Sequence, residues 1–193
     1  MILIIDNYDS FVNNLARYVR EAGHETTLLR NDAVDVDACL ALKPDGVIIS
    51  PGPKTPAQSG VSIDLMRRLD AQTPLFGVCL GHQGLVEVFG GETRRAAFPL
   101  HGEASEVRHD GSDLFKGVPS PMLAGRYHSL IAAPKAGGPL RETAWSGDGE
   151  LMGVAHEDRP WFGVQFHPES LLTPHGRRII GNFLSFCRRR SSP

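Results

Sequence analysis

The first half of the chain alternates between short, continuous apolar runs and segments in which apolar residues recur every three or four positions. Continuous runs are typical of strands buried on both faces of a parallel sheet, and the periodic segments are typical of amphipathic helices that cover it. The predicted strands are 2–5, 26–29, 47–50 and 75–78, and the predicted helices are 11–22, 34–42, 61–69 and one beginning at 80. This order predicts an α/β fold whose mostly parallel central sheet is flanked by helices.

The pattern changes after Gly90 and Gly91. From there to about residue 166, short alternating runs broken by Gly, Pro and Asp predict mostly antiparallel strands and hairpins, which form a smaller antiparallel sheet in the C-terminal half. These strands are expected at 104–107, 122–124, 130–133, 151–155 and 161–165. A final helix is predicted over 175–186, and residues 187–193 are expected to form a frayed tail.

The totals narrow the class of protein. A length of 193 residues predicts a single domain over 1–193. A net charge of −2 gives no reason to expect a nucleic-acid partner or a membrane surface. The three widely separated cysteines predict neither a zinc site nor a disulfide framework, and they favour the reduced thiols of a cytoplasmic protein. The apolar run at the N-terminus is too short for a signal or an anchor.

Candidate chemistry begins at Cys79, where a predicted strand meets a predicted helix. Gly77 and Gly81 lie two residues to either side, the spacing of a sharp nucleophile elbow in which any Cβ would clash. A thiol at such a turn meets the positive end of the following helix, which favours nucleophilic attack. The alternative is a small buried cysteine packed under a helix, and this stretch alone leaves both open.

A stiff loop, residues 50–53 (Ser-Pro-Gly-Pro), follows the third predicted strand. Its prolines lack N–H groups, so the N–H of Gly52 is left free to donate to a ligand. Loops at the carboxyl ends of parallel strands border the ligand crevice of such sheets, which makes this loop a candidate half of an oxyanion hole. The alternative is a rigid surface turn.

A second candidate stretch is 163–170, where a predicted strand runs into His167 and Pro168 fixes the turn. His167 and Glu169 are two residues apart and can project to one side. A cysteine nucleophile needs a base that takes its proton and a carboxylate that orients the base. His167 alone is one of eight histidines and could be an ordinary polar residue. Together with the elbow and the proline loop, it favours a catalytic triad of Cys79, His167 and Glu169.

Five segments resemble class-I (triad-type) glutamine amidotransferases, in the order typical of that family. They are 5–11 (Ile-Asp-Asn-Tyr-Asp-Ser-Phe), 50–53 (Ser-Pro-Gly-Pro), 77–83 (Gly-Val-Cys-Leu-Gly-His-Gln), 126–130 (Arg-Tyr-His-Ser-Leu) and 163–170 (Gly-Val-Gln-Phe-His-Pro-Glu-Ser). The first and fourth segments resemble in particular the glutaminase subunits of anthranilate synthase and aminodeoxychorismate synthase. The resemblance covers residues 2–186 and implies a flavodoxin-like fold.

This resemblance implies hydrolysis of the side-chain amide of L-glutamine. Cys79 would attack the carboxamide carbon and form a γ-glutamyl thioester. His167 would protonate the departing ammonia and then activate water, while Glu169 holds His167 in place. The backbone N–H groups of Gly52 and Leu80 would form the oxyanion hole.

The resemblance also implies the binding partners. Gly52 and Gln83, with the backbone of Ser129 and Leu130, would bind glutamine. No metal or other cofactor is implied, and any Mg²⁺ requirement would belong to a partner. Free ammonia is mostly protonated at neutral pH, so the chain would pass it directly to a chorismate-binding synthase subunit in a hetero-oligomer. Anthranilate synthesis for tryptophan and aminodeoxychorismate synthesis for folate both stay open.

The sequence departs from the family pattern at two positions. Lys54 stands where the family usually has glycine, which leaves the conformation of the loop near glutamine open. Glu103 stands where the family commonly has lysine, in a region associated with the partner surface. Two alternatives to ammonia supply also stay open. One is a γ-glutamyl hydrolase on the same fold with no synthase partner, and the other is a silent regulatory subunit, against which the intact triad speaks.

Overall fold

The computed structural model describes residues 1–97 and 99–187, so that Phe98 and residues 188–193 lie outside the description. Its strands are β1 (Ile2–Asp6), β2 (Thr26–Arg30), β3 (Gly46–Ile49), β4 (Leu75–Val78), β5 (Glu92–Arg95), β6 (Glu103–His109), β7 (Met122–Arg126), β8 (Leu130–Ala133), β9 (Leu140–Ser146), β10 (Leu151–His156) and β11 (Trp161–Val164). Its α-helices are α1 (Val12–Glu21), α2 (Val36–Ala41), α3 (Ser62–Arg68), α4 (Leu80–Val88) and α5 (Gly176–Leu184), and two 3-10 helices span Pro56–Gln58 and Asp113–Phe115. None of the helices within this part of the chain has the length and apolar character to cross a membrane.

Nine strands form one sheet in the order β2-β1-β3-β4-β11-β10-β9-β6-β7, and β5 pairs with β8 in a two-stranded antiparallel sheet. The first five strands of that order are mutually parallel, and the other four continue the sheet with antiparallel pairs. The predicted α/β fold, with a large sheet flanked by helices and a smaller antiparallel sheet, is confirmed.

Two features of the second half differ from the prediction. β11, predicted within the mostly antiparallel group, pairs in parallel with β4, with Phe162 opposite Phe76. All four of its residues are buried, as a strand between two neighbours in a covered sheet requires. The strands β5 and β9 were not predicted. The sequence of β5 is polar and largely exposed, since pairing of its backbone with β8 forms it rather than burial of side chains.

The core lies on both faces of the parallel half. Ile2 and Ile4 of β1 point into a cluster with α1 and α5, whereas Leu3 and Ile5 point into a cluster with α2, α3 and α4. This division follows from the twofold alternation of side chains along a strand. Helices therefore cover both faces, which explains why the strands of this half are apolar without alternation.

The C-terminal boundary is sharper than predicted. Cys187, the first residue of the expected frayed tail, is buried, and its Sγ lies where a Cβ on Gly46 would approach to 2.5 Å. The chain is therefore still packed at residue 187. The rest of the predicted tail, 188–193, lies outside the described residues.

The parallel half also fixes where polar chemistry can gather. The strands β1, β3, β4 and β11 are adjacent and parallel, so their carboxyl ends lie at one edge of the sheet. Directly after these ends come Asn7, Ser50, Cys79 and Gln165. Such an edge is the usual ligand crevice of a parallel α/β sheet.

Candidate active site

Cys79 occupies a strained turn between β4 and α4. Its backbone has φ 50° and ψ −98°, a region that side chains other than glycine rarely adopt and that costs roughly 1–3 kcal/mol. Its N–H donates to the carbonyl of Val164 at 2.8 Å, and its carbonyl accepts from the N–H of Gln83 at 3.0 Å. These bonds hold the residue on β11 and on the first turn of α4, with its side chain at the carboxyl edge of the sheet.

The two glycines that flank Cys79 are required by close backbone contacts. A Cβ on Gly77 would lie 2.4 Å from the carbonyl oxygen of Gly81, and a Cβ on Gly81 would lie 2.4 Å from the carbonyl oxygen of Ile49. Both distances are well inside van der Waals contact. The spacing in the sequence therefore reflects a physical crowding of β3, β4 and α4 around the turn.

His167 and Glu169 form a buried pair after β11. The Nδ1 atom of His167 lies 2.6 Å from Oε1 of Glu169, and both side chains are almost fully buried. The backbone of His167 is fixed because its N–H donates to the carbonyl of Gly125 and its carbonyl accepts from the Thr173 hydroxyl. The turn after the strand therefore presents the imidazole in one orientation.

The electrostatics of His167 connect it to Cys79. Burial lowers the pKa of the imidazole, but interaction with the Cys79 side chain and with Glu169 outweighs burial and holds the pKa well above its usual value. Its Nε2 is buried and makes no hydrogen bond of standard geometry within residues 1–97 and 99–187. This nitrogen is therefore free to exchange a proton with a group that enters beside Cys79.

Two aromatic rings that sequence reasoning did not single out pack against His167. The ring of Tyr127 lies 4.9 Å from it in an edge-on arrangement, and the ring of Phe11 lies 6.5 Å away. The Tyr127 hydroxyl lies 3.1 Å from the hydroxyl of Ser170. Both rings belong to segments that resemble the amidotransferase family, which is the signal that could have identified them.

The loop after β3 is held by Asn7. A Cβ on Gly52 would lie 2.5 Å from the backbone oxygen of Asn7, so only glycine fits there. Asn7 also donates from its backbone N–H to the Ser50 hydroxyl at 2.9 Å and from its side chain to the Ser50 carbonyl at 3.0 Å. Its own side-chain oxygen accepts from Asn31 and Ser62. Sequence reasoning missed this role, because it depends on contacts between loops distant in the chain.

Lys54 adopts the left-handed backbone conformation at φ 72°. The departure from the family's glycine therefore leaves the loop in the glycine-like conformation, at a cost of roughly 1–2 kcal/mol. The lysine side chain is exposed and makes no hydrogen bond or ion pair with any residue that the structure describes.

A cavity of about 140 Å³ opens beside the Cys79 side chain. Five of the residues predicted to act or bind line it, namely Gly52, Cys79, Gln83, Ser129 and Leu130. Pro53, Lys54, Tyr127 and His128 complete the lining. Leu80, the remaining predicted oxyanion residue, follows Cys79 directly and packs close to Gly52. His167 and Glu169 do not line the cavity and meet it only through the interaction of His167 with Cys79. The roles of all these residues stay predictions.

Two side-chain amides, those of Gln83 and Gln165, connect the cavity lining with the sulfur of Cys79. The Nε2 atom of Gln83 lies 3.2 Å from both the Leu130 carbonyl and Oε1 of Gln165, while Nε2 of Gln165 lies 3.5 Å from Sγ of Cys79. Both donors of Gln83 are therefore used, and its Oε1 is the group it can offer a ligand. Gln165 was not predicted, because its role follows from the position of β11 next to β4.

The segment that carries Ser129 and Leu130 is held by hydrogen bonds from buried side chains beneath the cavity wall. Buried Arg126 pairs with Glu150, and its Nε donates to Nε2 of His128 at 3.1 Å. His128 can then donate only from Nδ1, which lies 3.0 Å from the Leu130 carbonyl. Burial, reinforced by the charge of Arg126, lowers the pKa of His128 to about 4. The neutral imidazole of His128 thus bridges Arg126 and the Leu130 carbonyl and fixes the position of the backbone at the cavity.

Asp9 adds a carboxyl group near the buried pair. Its side chain accepts from the N–H of Phe11 at 2.8 Å. Burial and the charge of Glu169 raise its pKa to about 6, while His167 acts in the opposite direction. Glu103, the second departure from the family, is exposed at the start of β6, and its expected place at a partner surface stays a prediction.

The comparisons with known proteins agree with this arrangement. The chain matches the family described as glutamine amidotransferase class-I over residues 3–186. It is 51% identical over 186 residues to anthranilate synthase component II of Haloarcula marismortui, covering 95% of this chain and 96% of that protein. It is 44% identical over 190 residues to aminodeoxychorismate/anthranilate synthase component 2 of Bacillus subtilis, covering 98% of each.

The fold comparison points the same way. A solved structure from Thermoplasma acidophilum, assigned as part of a GMP synthase, matches with a TM-score of 0.85 at 27% identity, covering 96% of this chain and 92% of that one. The matched range of the family contains all five segments on which the resemblance was based. That resemblance is confirmed: the chain belongs to the class-I glutamine amidotransferase family.

Proposed function

We propose that this chain is the glutaminase subunit of a chorismate-using synthase. It hydrolyses L-glutamine at Cys79 and passes the ammonia to a separate synthase subunit in a hetero-oligomer. The observation that carries the proposal is a strained cysteine that lines a small cavity and interacts with a buried, carboxylate-held imidazole. Relatives of nearly the same length that are named as synthase components support it, and they do not favour the γ-glutamyl hydrolase alternative.

The first half of the reaction forms a thioester. Sγ of Cys79 attacks the carboxamide carbon of glutamine, its proton passes to Nε2 of His167, and the carbonyl oxygen takes the negative charge. The N–H groups of Gly52 and Leu80 stabilise that oxygen. Collapse of the intermediate breaks the C–N bond, and His167 returns the proton to the nitrogen, which leaves as ammonia.

The second half releases glutamate. His167 takes a proton from water, the resulting hydroxide attacks the thioester carbon, and the C–S bond breaks as His167 returns the proton to Sγ of Cys79. Glu169 keeps the Nδ1 proton in place throughout, which fixes the tautomer that exposes Nε2. Every group in these steps is a side chain or backbone atom of this chain, or water, and we propose that the reaction uses no metal or other cofactor.

Binding of the amino-acid end follows from the donors and acceptors at the cavity. The free Oε1 of Gln83 is an acceptor and suits the α-ammonium group of glutamine. The backbone of Ser129 and Leu130, set by His128, lies on the same wall. We propose that the scissile amide then lies toward Cys79 and Gly52.

The test is glutamine-dependent amination of chorismate by the chain together with the synthase subunit that co-purifies with it. Wild type should support product formation with glutamine or with ammonium, whereas Cys79→Ala should support it with ammonium only. The identity of the product, anthranilate or aminodeoxychorismate, assigns the branch. If the chain hydrolyses γ-glutamyl peptides and no synthase co-purifies, the proposal is overturned in favour of the hydrolase.

A further inference from the structure

Lys54 is the one charged side chain among the described residues that line the cavity beside Cys79. The imidazole on the lining, His128, is neutral at physiological pH, since burial lowers its pKa to about 4. The remaining walls are apolar groups, amides, hydroxyls and backbone. A ligand that brings a negative charge into this space therefore meets a single cation.

Two features of Lys54 point to a ligand rather than to a structural role. Its ammonium group has no partner in the described part of the chain. Its position lies two residues after Gly52, whose N–H faces the reacting amide in the proposed function.

Lys43 provides the comparison within the same molecule. It is also a lysine with positive φ, at 46°, and it is also exposed. It follows the end of α2, at the opposite edge of the parallel strands from the loop that carries Lys54, and it does not line the cavity. The two residues therefore share backbone strain and charge and differ in location.

We propose that Lys54 binds the α-carboxylate of glutamine and selects amino-acid amides over neutral ones. The inference rests on the proposed function and deepens it, because it assigns the amino-acid end of the substrate to a group that the family pattern does not supply. Gln83 Oε1 takes the α-ammonium group and Lys54 Nζ takes the α-carboxylate, so the zwitterion is held from two sides while its amide reaches Cys79.

The test compares two thiol reagents on the same cysteine. 6-Diazo-5-oxo-L-norleucine keeps the ammonium and carboxylate groups of glutamine. It forms a bond from its diazo carbon to Sγ of Cys79, loses N₂ and takes up the thiol proton at that carbon. Iodoacetamide has neither charged group and alkylates the same sulfur with loss of iodide. The ratio of the two rates, followed by mass spectrometry of the Cys79 peptide, measures recognition separately from thiol reactivity.

Lys54→Met should slow labelling by the diazoketone about tenfold while labelling by iodoacetamide stays unchanged, and Lys54→Arg should restore most of the loss. Lys54→Gly, which also relieves backbone strain, should show the same tenfold loss in a protein at least as stable as wild type, so the loss cannot come from unfolding. Lys43→Met is the matched control and should leave both rates unchanged.

An unchanged ratio of the two rates in Lys54→Met and Lys54→Gly would overturn the inference and leave the proposed function standing. A wild-type protein in which iodoacetamide labels Cys79 but the diazoketone does not would instead overturn the proposed function, and the inference with it. The two failures are therefore distinguishable in one set of measurements.

Discussion

The carboxyl edge of the parallel half and the turns of the antiparallel half differ in which residues adopt a positive φ. At the carboxyl edge, the loops after β1, β3 and β4 place Tyr8, Lys54 and Cys79 at positive φ. From residue 102 to 149, five of the six described positive-φ positions are glycines, and Asp113 is the exception. Glycine adopts this region without strain. Lys54 and Cys79 border the cavity, so side chains are retained there at a local cost, whereas the turns of the antiparallel half mostly use glycine.

The largest effect should come from removing the side chain of Cys79, the proposed nucleophile. Cys79→Gly should lower the rate of glutamine hydrolysis by at least about a thousandfold, because no other group takes the place of the sulfur. The same change should give a free energy of unfolding about 1 kcal/mol higher than that of Cys79→Ala, because glycine adopts φ 50° freely. Glutamate release and urea unfolding measure the two effects. Glutamine hydrolysis within tenfold of wild type would contradict the assignment of Cys79.

The next largest effect should come from adding a side chain in the crowded turn around Cys79. Gly81→Ala should lower the free energy of unfolding by about 3 kcal/mol, since its Cβ would lie 2.4 Å from the backbone of Ile49 and neither β3 nor α4 can yield easily. Gly181→Ala in α5 is the matched control. A Cβ there meets nothing within 4 Å, and the change should stabilise the helix by about 0.5–1 kcal/mol. Equal effects at the two glycines would remove the contrast between the elbow and an ordinary helix.

A smaller effect concerns acid stability. His82 is fully buried behind the elbow, and burial, with the nearby His128, lowers its pKa from 6.5 to about 3. Between these values the unfolded chain binds a proton that the folded chain does not. This group therefore lowers stability by up to about 1.4 kcal/mol for each pH unit below 6.5 and contributes no such loss above it.

The variant His82→Met should remove that contribution, so that stability measured by urea unfolding at pH 7 and pH 5 falls less than in wild type. Asp9 has the opposite sign, since its folded pKa of about 6 makes the folded chain bind the extra proton, but it is common to both proteins. His101→Gln, on the exposed surface before β6, is the control for loss of an imidazole. A pH dependence in His82→Met that equals wild type would contradict the role given to burial of His82.

The smallest effects should appear at turns away from the cavity. Gly137, at φ 69° between β8 and β9, has open space around it. Gly137→Ala should therefore lower the free energy of unfolding only by the backbone strain of about 1–2 kcal/mol. Lys43→Gly should raise the free energy of unfolding by about 1 kcal/mol, with no change in the rate of glutamine hydrolysis. Urea unfolding of both variants tests whether strain at these turns is independent of function. A loss of glutamine hydrolysis in Lys43→Gly would contradict it.

Local constraints made part of the fold predictable. The strands β1, β3 and β4 were recognisable because continuous apolar runs report burial on two faces, and the elbow because glycine spacing reports crowding at one turn. The polar strand β5 and the parallel orientation of β11 were not predictable in the same way. They depend on which strand becomes the neighbour, and the sequence of the strand itself does not carry that information.

The candidate site also contains residues that the local sequence predicts and residues that only the arrangement of the strands reveals. Cys79, His167 and Glu169 could be proposed from residue type and spacing, since each carries a reactive group after a predicted strand. Asn7 and Gln165 could not, because their importance comes from hydrogen bonds to Ser50 and Cys79 that exist only when the strands are adjacent. Side chains that react are visible in a sequence, whereas those that hold loops together emerge from the topology.

The amide chain on the cavity floor has a mechanical consequence. Gln83 ties helix α4 to the carbonyl of Leu130 and to Gln165, and Gln165 in turn touches the sulfur of Cys79. A displacement of the segment that carries Leu130 therefore reaches the sulfur through two side chains. In the proposed reaction, the wall that binds glutamine and the sulfur that attacks it therefore shift together, and a partner that presses on this wall also displaces the sulfur.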